Sequence, residues 1–211
     1  MQTNHVPVPT LERLATYIRY LLDLEQDGVE TISSADVEVQ TGINAAQFRK
    51  DLSYFGEFGK PGVGYNVSDL QVRVSKILKV DREQRVLLVG AGNLGSALVG
   101  YPGLIELRFN LVAVFDNNAD KIGTRLWDLE VQDIATLPEV NSHLDAGLGI
   151  VAVPRIAAQY VADMLISAGV RAILNFAPTI LRVPEDIVIR NVSFVQELAV
   201  LSYHLSTDQK A

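Results

Sequence analysis

The sequence predicts an α/β protein with two domains, the first mainly helical and the second built on a parallel sheet. Helical periodicity and tight turns dominate residues 1–80, whereas apolar strands alternate with helices through residues 85–192. Such alternation is typical of a parallel sheet covered by helices. A final apolar helix with a short tail, residues 193–211, follows the second domain.

The first domain is expected to begin with two helices. Thr10 is a good N-cap for the first helix, which should end near Gly28, because apolar side chains recur at intervals of three and four. Ser33 or Ser34 is expected to start a shorter helix that stops at Thr41. The recurring apolar side chains are Leu11, Leu14, Ile18, Leu21 and Leu22.

A third helix is expected at residues 44–55, where Asn44 can act as N-cap and Gln47 occupies the position of a capping box. Two helices joined by a tight turn at Gly42 form a helix-turn-helix candidate. At about 100° per residue, the inward face carries Phe48, Leu52 and Phe55. The outward face carries small, amide, hydroxyl and cationic side chains, namely Ala46, Gln47, Lys50, Ser53 and Tyr54. That face suits the major groove of DNA, although an amphipathic helix with a solvated face is the alternative.

Residues 56–65 contain four glycines. With aromatic side chains on either side, this composition predicts a β-hairpin with a glycine-rich tip. A hairpin that follows a DNA-reading helix is the wing of a winged-helix domain, and Lys60 would meet phosphates or enter the minor groove from it. A nucleotide-binding glycine loop is the alternative, but no strand leads into the segment and no Lys-Ser/Thr pair closes it. Ser68 is expected to cap the helix that follows.

The charge distribution is compatible with a DNA-binding module. The chain has a net charge of −7, which by itself argues against a nucleic-acid partner. Residues 44–79, however, carry six basic against three acidic side chains. A small basic face on an acidic body permits DNA binding without identifying it.

The second domain is organised around a glycine-rich turn that follows an apolar strand at residues 86–89. The turn fits the G-x-G-x-x-G spacing of a dinucleotide-binding site. Gly90 permits the tight turn, Gly92 has no Cβ to obstruct a pyrophosphate, and Gly95 lets the next helix pack closely. A turn that merely joins a strand to a helix is the alternative. The whole turn consists of Gly90, Ala91, Gly92, Asn93, Leu94 and Gly95.

An acidic residue follows at the expected distance. The apolar strand at residues 111–115 ends in Asp116, which lies 21 positions after Gly95. A carboxylate at about this spacing hydrogen-bonds the adenine ribose, and its charge should repel a 2′-phosphate. The predicted cofactor is therefore NAD(H) rather than NADP(H), with a strand-end turn residue as the alternative role of Asp116. These motifs predict a winged-helix DNA-binding domain at residues 1–80 and a Rossmann NAD(H)-binding domain at residues 85–192.

Further strands are expected at residues 148–153, 172–176 and 187–191, with an alanine-rich helix at residues 156–168. Ligands bind outside the carboxyl ends of the strands in such sheets. We therefore expect the residues at these ends to shape loops over the nicotinamide half of the cofactor. They are Val153, Pro154 and Arg155 after one strand, and Asn175, Phe176, Ala177 and Pro178 after the next.

The last helix, at residues 194–205, carries apolar side chains round most of its circumference. A helix of this kind needs burial on more than one side. We infer that it packs into a second copy of the chain, with a position between the two domains of one chain as the alternative. Its apolar residues are Phe194, Val195, Leu198, Ala199, Val200, Leu201, Tyr203 and Leu205.

Composition excludes several classes of function. The chain has no cysteine and three histidines, so disulfides and thiolate metal sites are excluded and a metal site is not expected. No run approaches 18 consecutive apolar residues, and the N-terminus lacks a basic segment followed by an apolar one. We expect a cytoplasmic protein without a membrane segment.

With these motifs, the chain resembles the bacterial Rex family of redox-sensing transcriptional repressors over essentially its whole length. The resemblance implies a homodimer whose C-terminal helices are exchanged and packed between the partner's two domains. It also implies binding to palindromic operator DNA when NAD+ is high and release when NADH binds. The segments that carry the resemblance are residues 48–56, 62–65, 90–98, 101–103, 153–155 and 175–178.

The resemblance also implies roles for individual residues. Phe194 is expected to reach the partner's nicotinamide pocket, Tyr101 to respond to the redox state of the cofactor, and Arg19 to lie near the domain interface. Ser193 stands where the family often carries aspartate, so its hydroxyl can accept a hydrogen bond from Tyr101 but supplies no charge. The cofactor set is the glycine-rich turn with Tyr101, Asp116, Val153, Pro154, Asn175, Phe176 and Phe194. The DNA set is Ala46, Gln47, Arg49, Lys50, Ser53, Tyr54, Lys60 and Gly62.

A small NAD-dependent dehydrogenase is the main alternative from a different class. The first 80 residues offer no substrate domain, no His-acid pair lies at a strand end, and His143 is expected in a loop. A module that binds coenzyme A or a nucleotide without a DNA function is disfavoured by Asp116 and by the predicted wing. An enzyme is therefore not expected.

Overall fold

A computed structural model of the chain describes residues 6–59 and 62–207. Contacts divide the chain into two compact units, the first ending at Arg82 and the second beginning at Glu83. The helices of the first unit are α1 (Val8–Gln26), α2 (Ser34–Thr41), α3 (Ala45–Ser53) and α4 (Val67–Leu78). Its strands are β1 (Thr31–Ile32) and β2 (Tyr65–Asn66), which pair antiparallel.

The core of the first unit joins α1, α3 and β2 through aromatic rings. The Phe48 ring lies edge-on to Tyr17, with ring centroids 4.9 Å apart, and edge-on to Tyr65, with centroids 5.2 Å apart. Edge-to-face pairs of this kind stabilise a core beyond the area that they bury. The helix that the sequence predicts to read DNA is therefore held from its inward face.

The helix starts in this unit differ in part from the predicted ones. Pro7 precedes α1, and Thr10 lies inside the helix with its hydroxyl turned to Asp51, so Thr10 is not the N-cap. Ser33 caps α2 as predicted and forms a capping box with Asp36. The prediction of Ser68 as a cap is wrong, because Asn66 begins α4 by accepting a hydrogen bond from the Asp69 N–H.

The predicted hairpin at residues 56–65 is absent from the described part of this segment. β2 pairs instead with β1, which precedes α2, and residues 56–59 form no strand. Gly56 and Gly59 have positive φ angles of 110° and 71°, and such backbone cannot continue an extended strand. Gly64 lies so close to the Ile32 carbonyl that a Cβ would overlap it. Lys60, the predicted wing cation, lies outside the described residues.

The second unit contains a sheet of seven strands. Six of them are parallel, in the order β6-β4-β3-β7-β8-β9, and β5 pairs antiparallel with β6 at the edge. The order reverses on either side of β3, which is the arrangement of a doubly wound dinucleotide-binding fold. The strands are β3 (Gln84–Val89), β4 (Phe109–Asp116), β5 (Arg125–Leu126), β6 (Leu129–Asp133), β7 (Leu148–Val151), β8 (Ala172–Asn175) and β9 (Val188–Asn191). The helices are α5 (Asn93–Val99), α6 (Pro102–Glu106), α7 (Leu137–Leu144), α8 (Arg155–Ser167) and α9 (Phe194–Thr207).

Strands β3 and β4 are buried on both faces, as their continuous apolar runs predict. Leu87 and Phe115 face the core that α7 and α8 cover, whereas Leu88 and Val114 belong to the core on the opposite face. Residues next to each other along a strand point to opposite faces, so both cores are built from the same short segments. His143 lies in the last turn of α7 and not in a loop as predicted.

Candidate functional site

The glycine-rich turn connects β3 to α5 in a geometry that two of its glycines make possible. Gly90 has a φ of 110°, and a Cβ there would overlap the Ala152 carbonyl. A Cβ on Gly95 would overlap the carbonyl oxygen of Gly90. Gly92 differs, because a Cβ there would meet no atom within 4 Å. The backbone at Gly92 therefore borders open space, which is what the close approach of a pyrophosphate requires.

A cleft of about 470 Å³ opens at this turn, along the carboxyl ends of β3, β4 and β7. This is the edge at which sheets of this type bind ligands. Val153 and Pro154 supply part of an apolar wall, while Asp116 and Lys121 bring the charge. The remaining lining residues are Val89, Gly90, Gly92, Asn93, Leu94, Asn117, Asn118, Ile134, Ala152, Ala157, Tyr160 and Val161.

Asp116 is buried at the end of β4 and tied to the glycine-rich turn. Its Oδ2 accepts a hydrogen bond from the Ala91 N–H at 2.8 Å and one from Lys121 Nζ at 3.1 Å, while Oδ1 accepts from the Asn118 N–H at 2.9 Å. Burial by itself raises the pKa of Asp116, but these hydrogen bonds and the Lys121 charge outweigh it and hold the pKa below its usual range. Asp116 is therefore ionised at neutral pH.

The loop after β8 departs from the prediction. Asn175 is fully buried, and its side-chain nitrogen donates to the Thr179 carbonyl at 2.9 Å and to Asn191 Oδ1 at 2.8 Å. Its Oδ1 accepts from the Ala177 N–H at 3.0 Å. The side chain thus shapes the loop and is not available to a ligand, which corrects its place in the cofactor set.

Two of the three residues expected to act in the redox response, Tyr101 and Ser193, belong to the second unit and do not line the cleft at the glycine-rich turn. Tyr101 is half exposed before α6 and lines a second cleft of about 380 Å³ with Arg108 and Leu129. Ser193 Oγ accepts a hydrogen bond from the Gln196 N–H at 3.3 Å, at the start of α9. Within the described ranges of the second unit, no hydrogen bond joins Ser193 to Tyr101. Arg19 is exposed on α1 of the first unit.

Phe194, the first residue of α9, lies beside Phe176 of its own chain. Their rings are stacked, with centroids 6.5 Å apart and planes inclined by 29°. Phe194 nevertheless remains 63% exposed. Most of its ring is therefore free to meet another surface.

The outward face of α3 is mainly as predicted. Lys50 is exposed, and Arg49 Nη1 donates to Ser34 Oγ at 2.6 Å, which links α3 to the start of α2. Gln47 is the exception, because it is half-buried and its Nε2 donates to Asp51 Oδ1 at 2.8 Å. The other exposed members of the predicted DNA set are Ala46, Ser53, Tyr54 and Gly62.

Sequence reasoning missed the buried carboxylate of Asp51 on α3. Arg13 donates to it from Nε at 2.6 Å and from Nη2 at 2.7 Å, and the Tyr17 hydroxyl donates at 2.9 Å. Thr10 and Gln47 complete the set of donors. Burial by itself raises the pKa of Asp51, but the hydrogen bonds, those from Arg13 foremost, hold it below the usual range. One signal in the sequence could have indicated this burial, because Asp51 lies between Phe48 and Leu52, next to the apolar face of the helix.

Two classes of site find no support in the described structure. Among residues 6–59 and 62–207, no group of three or more acidic or histidine side chains is placed to hold a metal ion. No helix in the same ranges has the length and apolar character needed to cross a membrane.

The fold and the cleft define a protein with a small, mainly helical N-terminal unit and a Rossmann-like nucleotide-binding unit. Residues 5–53 match the family described as "Putative DNA-binding protein N-terminus", and residues 81–179 match the family described as "CoA binding domain". Two relatives are 47% identical, the "Redox-sensing transcriptional repressor Rex" of Desulfitobacterium hafniense and that of Carboxydothermus hydrogenoformans. The alignments cover 98% and 99% of this chain and 99% and 100% of those proteins.

Solved structures agree with these relatives. The chain is 38% identical to RSP in complex with beta-NAD+ and operator DNA, with a TM-score of 0.91 over 98% of this chain and 95% of that one. It is 36% identical to RSP in complex with beta-NADH, with a TM-score of 0.88 over 98% and 97% of the two chains. A further structure with a TM-score of 0.88 describes RSP as a Rex-family repressor. The chain belongs to the Rex family of redox-sensing transcriptional repressors, and so to the regulators and not to the dehydrogenases.

Proposed function

We propose that this protein is a transcriptional repressor that senses the ratio of NADH to NAD+. It binds operator DNA when NAD+ is high and leaves the operator when NADH binds. The observation that carries the proposal is the cleft at the carboxyl ends of β3, β4 and β7. In it, the space beside Gly92 adjoins a buried, ionised Asp116. RSP, a relative with the same fold, was crystallised with each redox form of the cofactor.

The cleft fits a dinucleotide along its length. We assign the open space at Gly92 and the backbone N–H groups of the turn to the pyrophosphate, and Asp116 to the adenine ribose. Val153 and Pro154 offer an apolar wall to the nicotinamide, with Phe176 and a partner's Phe194 as further contacts. NADH and NAD+ differ by one hydride and one positive charge, so an apolar wall favours the neutral, reduced ring.

We assign DNA binding to the exposed face of α3. We assign Lys50 to a contact with guanine or phosphate, with Arg49, Ser53 and Tyr54 beside it on the exposed surface. A homodimer presents this face twice, so a palindromic operator with half-sites one helical turn apart is expected. Lys60 and Gly62 follow as wing contacts on the resemblance alone.

Exposed apolar surfaces on α9 and on the sheet support the homodimer. The large apolar side chains along α9 are between 56% and 75% exposed. On the sheet, an apolar groove of about 220 Å³ is lined by residues that include Leu148, Leu174 and Val188. Apolar surfaces of this extent mark interaction sites. We assign α9 to the partner subunit, as an exchanged helix that brings Phe194 towards the partner's cleft.

The switch is a coupling between cofactor and operator. A ligand shifts a conformational equilibrium only through its different affinity for the two states, and allosteric coupling energies are typically about 1–3 kcal/mol. That range corresponds to a change in operator affinity of about 5- to 150-fold. We assign the coupling between the cofactor site and the DNA-binding domain to Tyr101, Ser193 and Arg19. We also propose that the protein is cytoplasmic.

A gel-shift experiment on a palindromic operator tests the proposed function. The purified protein is titrated onto the DNA at low salt, then challenged with NADH or with NAD+ at matched concentration. We expect NADH to dissolve the complex and NAD+ to leave it intact. Equal retention with both forms, or no binding at low salt, would exclude the proposal.

A further inference from the structure

Lys121 is the second charged residue of the cofactor cleft. Its Nζ lies 3.1 Å from Asp116 Oδ2, and its side chain is 38% exposed whereas that of Asp116 is 9% exposed. Asp116 and Lys121 are the two charged side chains among the described residues that line the cleft. The cleft therefore carries no net charge from its lining, although the acidic residue alone would make it negative.

The carboxylate of Asp116 does not depend on Lys121 for its position. The Asn118 N–H holds Oδ1 at 2.9 Å, and the Ala91 N–H holds Oδ2 at 2.8 Å. The Lys121 backbone is held separately, because its N–H donates to the Asn118 carbonyl at 2.9 Å and its carbonyl accepts from the Thr124 hydroxyl at 2.6 Å. Replacement of the Lys121 side chain would therefore uncover the charge of Asp116 without moving it.

An acid at the end of this strand discriminates between NAD(H) and NADP(H) by repelling the 2′-phosphate. Here the ammonium group of Lys121 lies 3.1 Å from Asp116 Oδ2 and offsets the repulsion by that carboxylate. The same ammonium group can donate a hydrogen bond to a phosphate oxygen. We propose that Lys121 sets the selectivity between the two cofactors and makes the cleft admit NADPH, more weakly than NADH. This inference rests on the proposed function, which places a dinucleotide in the same cleft.

The test is a titration of the full-length protein with NADH and with NADPH, followed by the fluorescence of the reduced nicotinamide. We expect Lys121→Gln to weaken NADPH binding by about tenfold or more and to change NADH binding by less than about threefold, because only the former loses a charge partner. Lys121→Arg should retain the NADPH affinity of the unchanged chain. Lys76→Gln, which removes the same charge from the first unit, is the matched control and should change neither affinity.

Several outcomes would overturn the inference while leaving the proposed function in place. One is an unchanged chain that binds NADH but no NADPH at millimolar concentration. Another is Lys121→Gln weakening both cofactors equally, which would make Lys121 a general phosphate contact, or weakening neither. A chain that binds neither cofactor would instead overturn the proposed function, and the inference with it.

Discussion

The glycines of the turn after β3 act for different physical reasons. Gly95 is required by packing, because a Cβ would overlap the Gly90 carbonyl. Gly92 is required by nothing inside the chain, since a Cβ there would meet no atom within 4 Å. Replacement of Gly92 should therefore affect binding of the proposed ligand without affecting folding.

We therefore expect Gly92→Ala and Gly95→Ala to fail in different assays. Gly95→Ala should destabilise the second unit by about 1–3 kcal/mol, as overpacking does. Gly92→Ala should leave the free energy of unfolding within about 1 kcal/mol and should weaken NADH binding, because the methyl group enters the pyrophosphate space. Urea unfolding and NADH titration of both variants measure this. Normal NADH binding by a folded Gly92→Ala protein would argue against the site.

Replacement of Lys50 gives the most direct test of the proposal that α3 binds DNA. Lys50→Ala should weaken operator binding by about 1–3 kcal/mol while leaving NADH affinity unchanged, because Lys50 is an exposed cation of the first unit. Asp116→Ala should do the reverse and weaken NADH binding. The opposite pattern in gel-shift and titration experiments would mean that the two roles are assigned to the wrong units.

At the scale of elements, Asp51 fastens α3 to α1. Its fully buried carboxylate accepts hydrogen bonds from Arg13 and Tyr17 on α1 and from Gln47 on α3 itself. An ionised carboxylate only accepts hydrogen bonds, so the Gln47 amide must turn its nitrogen inward and its oxygen outward. One of the two Gln47 N–H groups is thereby held by Asp51, which leaves the amide oxygen and the second N–H for other partners.

The same carboxylate makes the first unit sensitive to acid. Its pKa is lower in the folded chain than in the unfolded chain, so the stability it gives is complete above the unfolded value of about 3.9 and is lost as pH falls towards the folded value. We expect Asp51→Asn to cost about 3 kcal/mol at pH 7. The difference from the unchanged protein should shrink below about pH 4.

Urea unfolding at a series of pH values measures this prediction. Asp36→Asn is the comparison variant, because Asp36 is an exposed carboxylate at the third position of α2 in a capping box whose N-cap is Ser33, so its replacement should cost less than the loss of a cap, about 1 kcal/mol. If the difference in free energy of unfolding between Asp51→Asn and the unchanged protein stays constant down to pH 3, Asp51 is not the source of the acid sensitivity.

At the scale of the whole molecule, the proposed homodimer depends on α9. Leu198 is 64% exposed, and we expect Leu198→Asp to yield a monomer, because a carboxylate would be buried in the proposed interface. Operator affinity should fall with it, since one half-site contact is lost. Gln196→Glu adds the same charge at a polar position of the helix and is the control. Sedimentation equilibrium decides between the states, and a Leu198→Asp protein that remains dimeric would remove α9 from the interface.

Local sequence signals predicted the second unit well. The continuous apolar runs of β3 and β4, the glycine spacing and Asp116 at the end of β4 all lie within one stretch of chain. Each depends on the period of a strand or on the backbone freedom of a glycine, which are properties of neighbouring residues. The prediction that Ser33 starts α2 succeeded for the same reason.

The errors lie where distant segments meet. Tyr65 pairs with Ile32, although two helices separate them in the sequence. Local signals do not reveal such a distant pairing, and the glycines at residues 56–64 therefore suggested a local hairpin. Asn175 follows a strand like a ligand-binding residue, but its partners at positions 179 and 191 turn it into a support for the loop. Thr10 and Gln47 were assigned separately and Asp51 was missed, because nothing in the order of residues says that they share one hydrogen-bonding network.

The amino-acid sequence by itself determined the order of the two domains, the alternating strands and helices of the second domain and the glycine-rich turn, because strand periodicity and glycine backbone freedom are local. Tertiary structure alone decided which polar side chains remain available to ligands. Asn175 and Gln47 are drawn inward, while Lys121 is brought to Asp116. The physical reason is that a polar group taken out of water must find a partner, and the chain provides that partner only once it has folded.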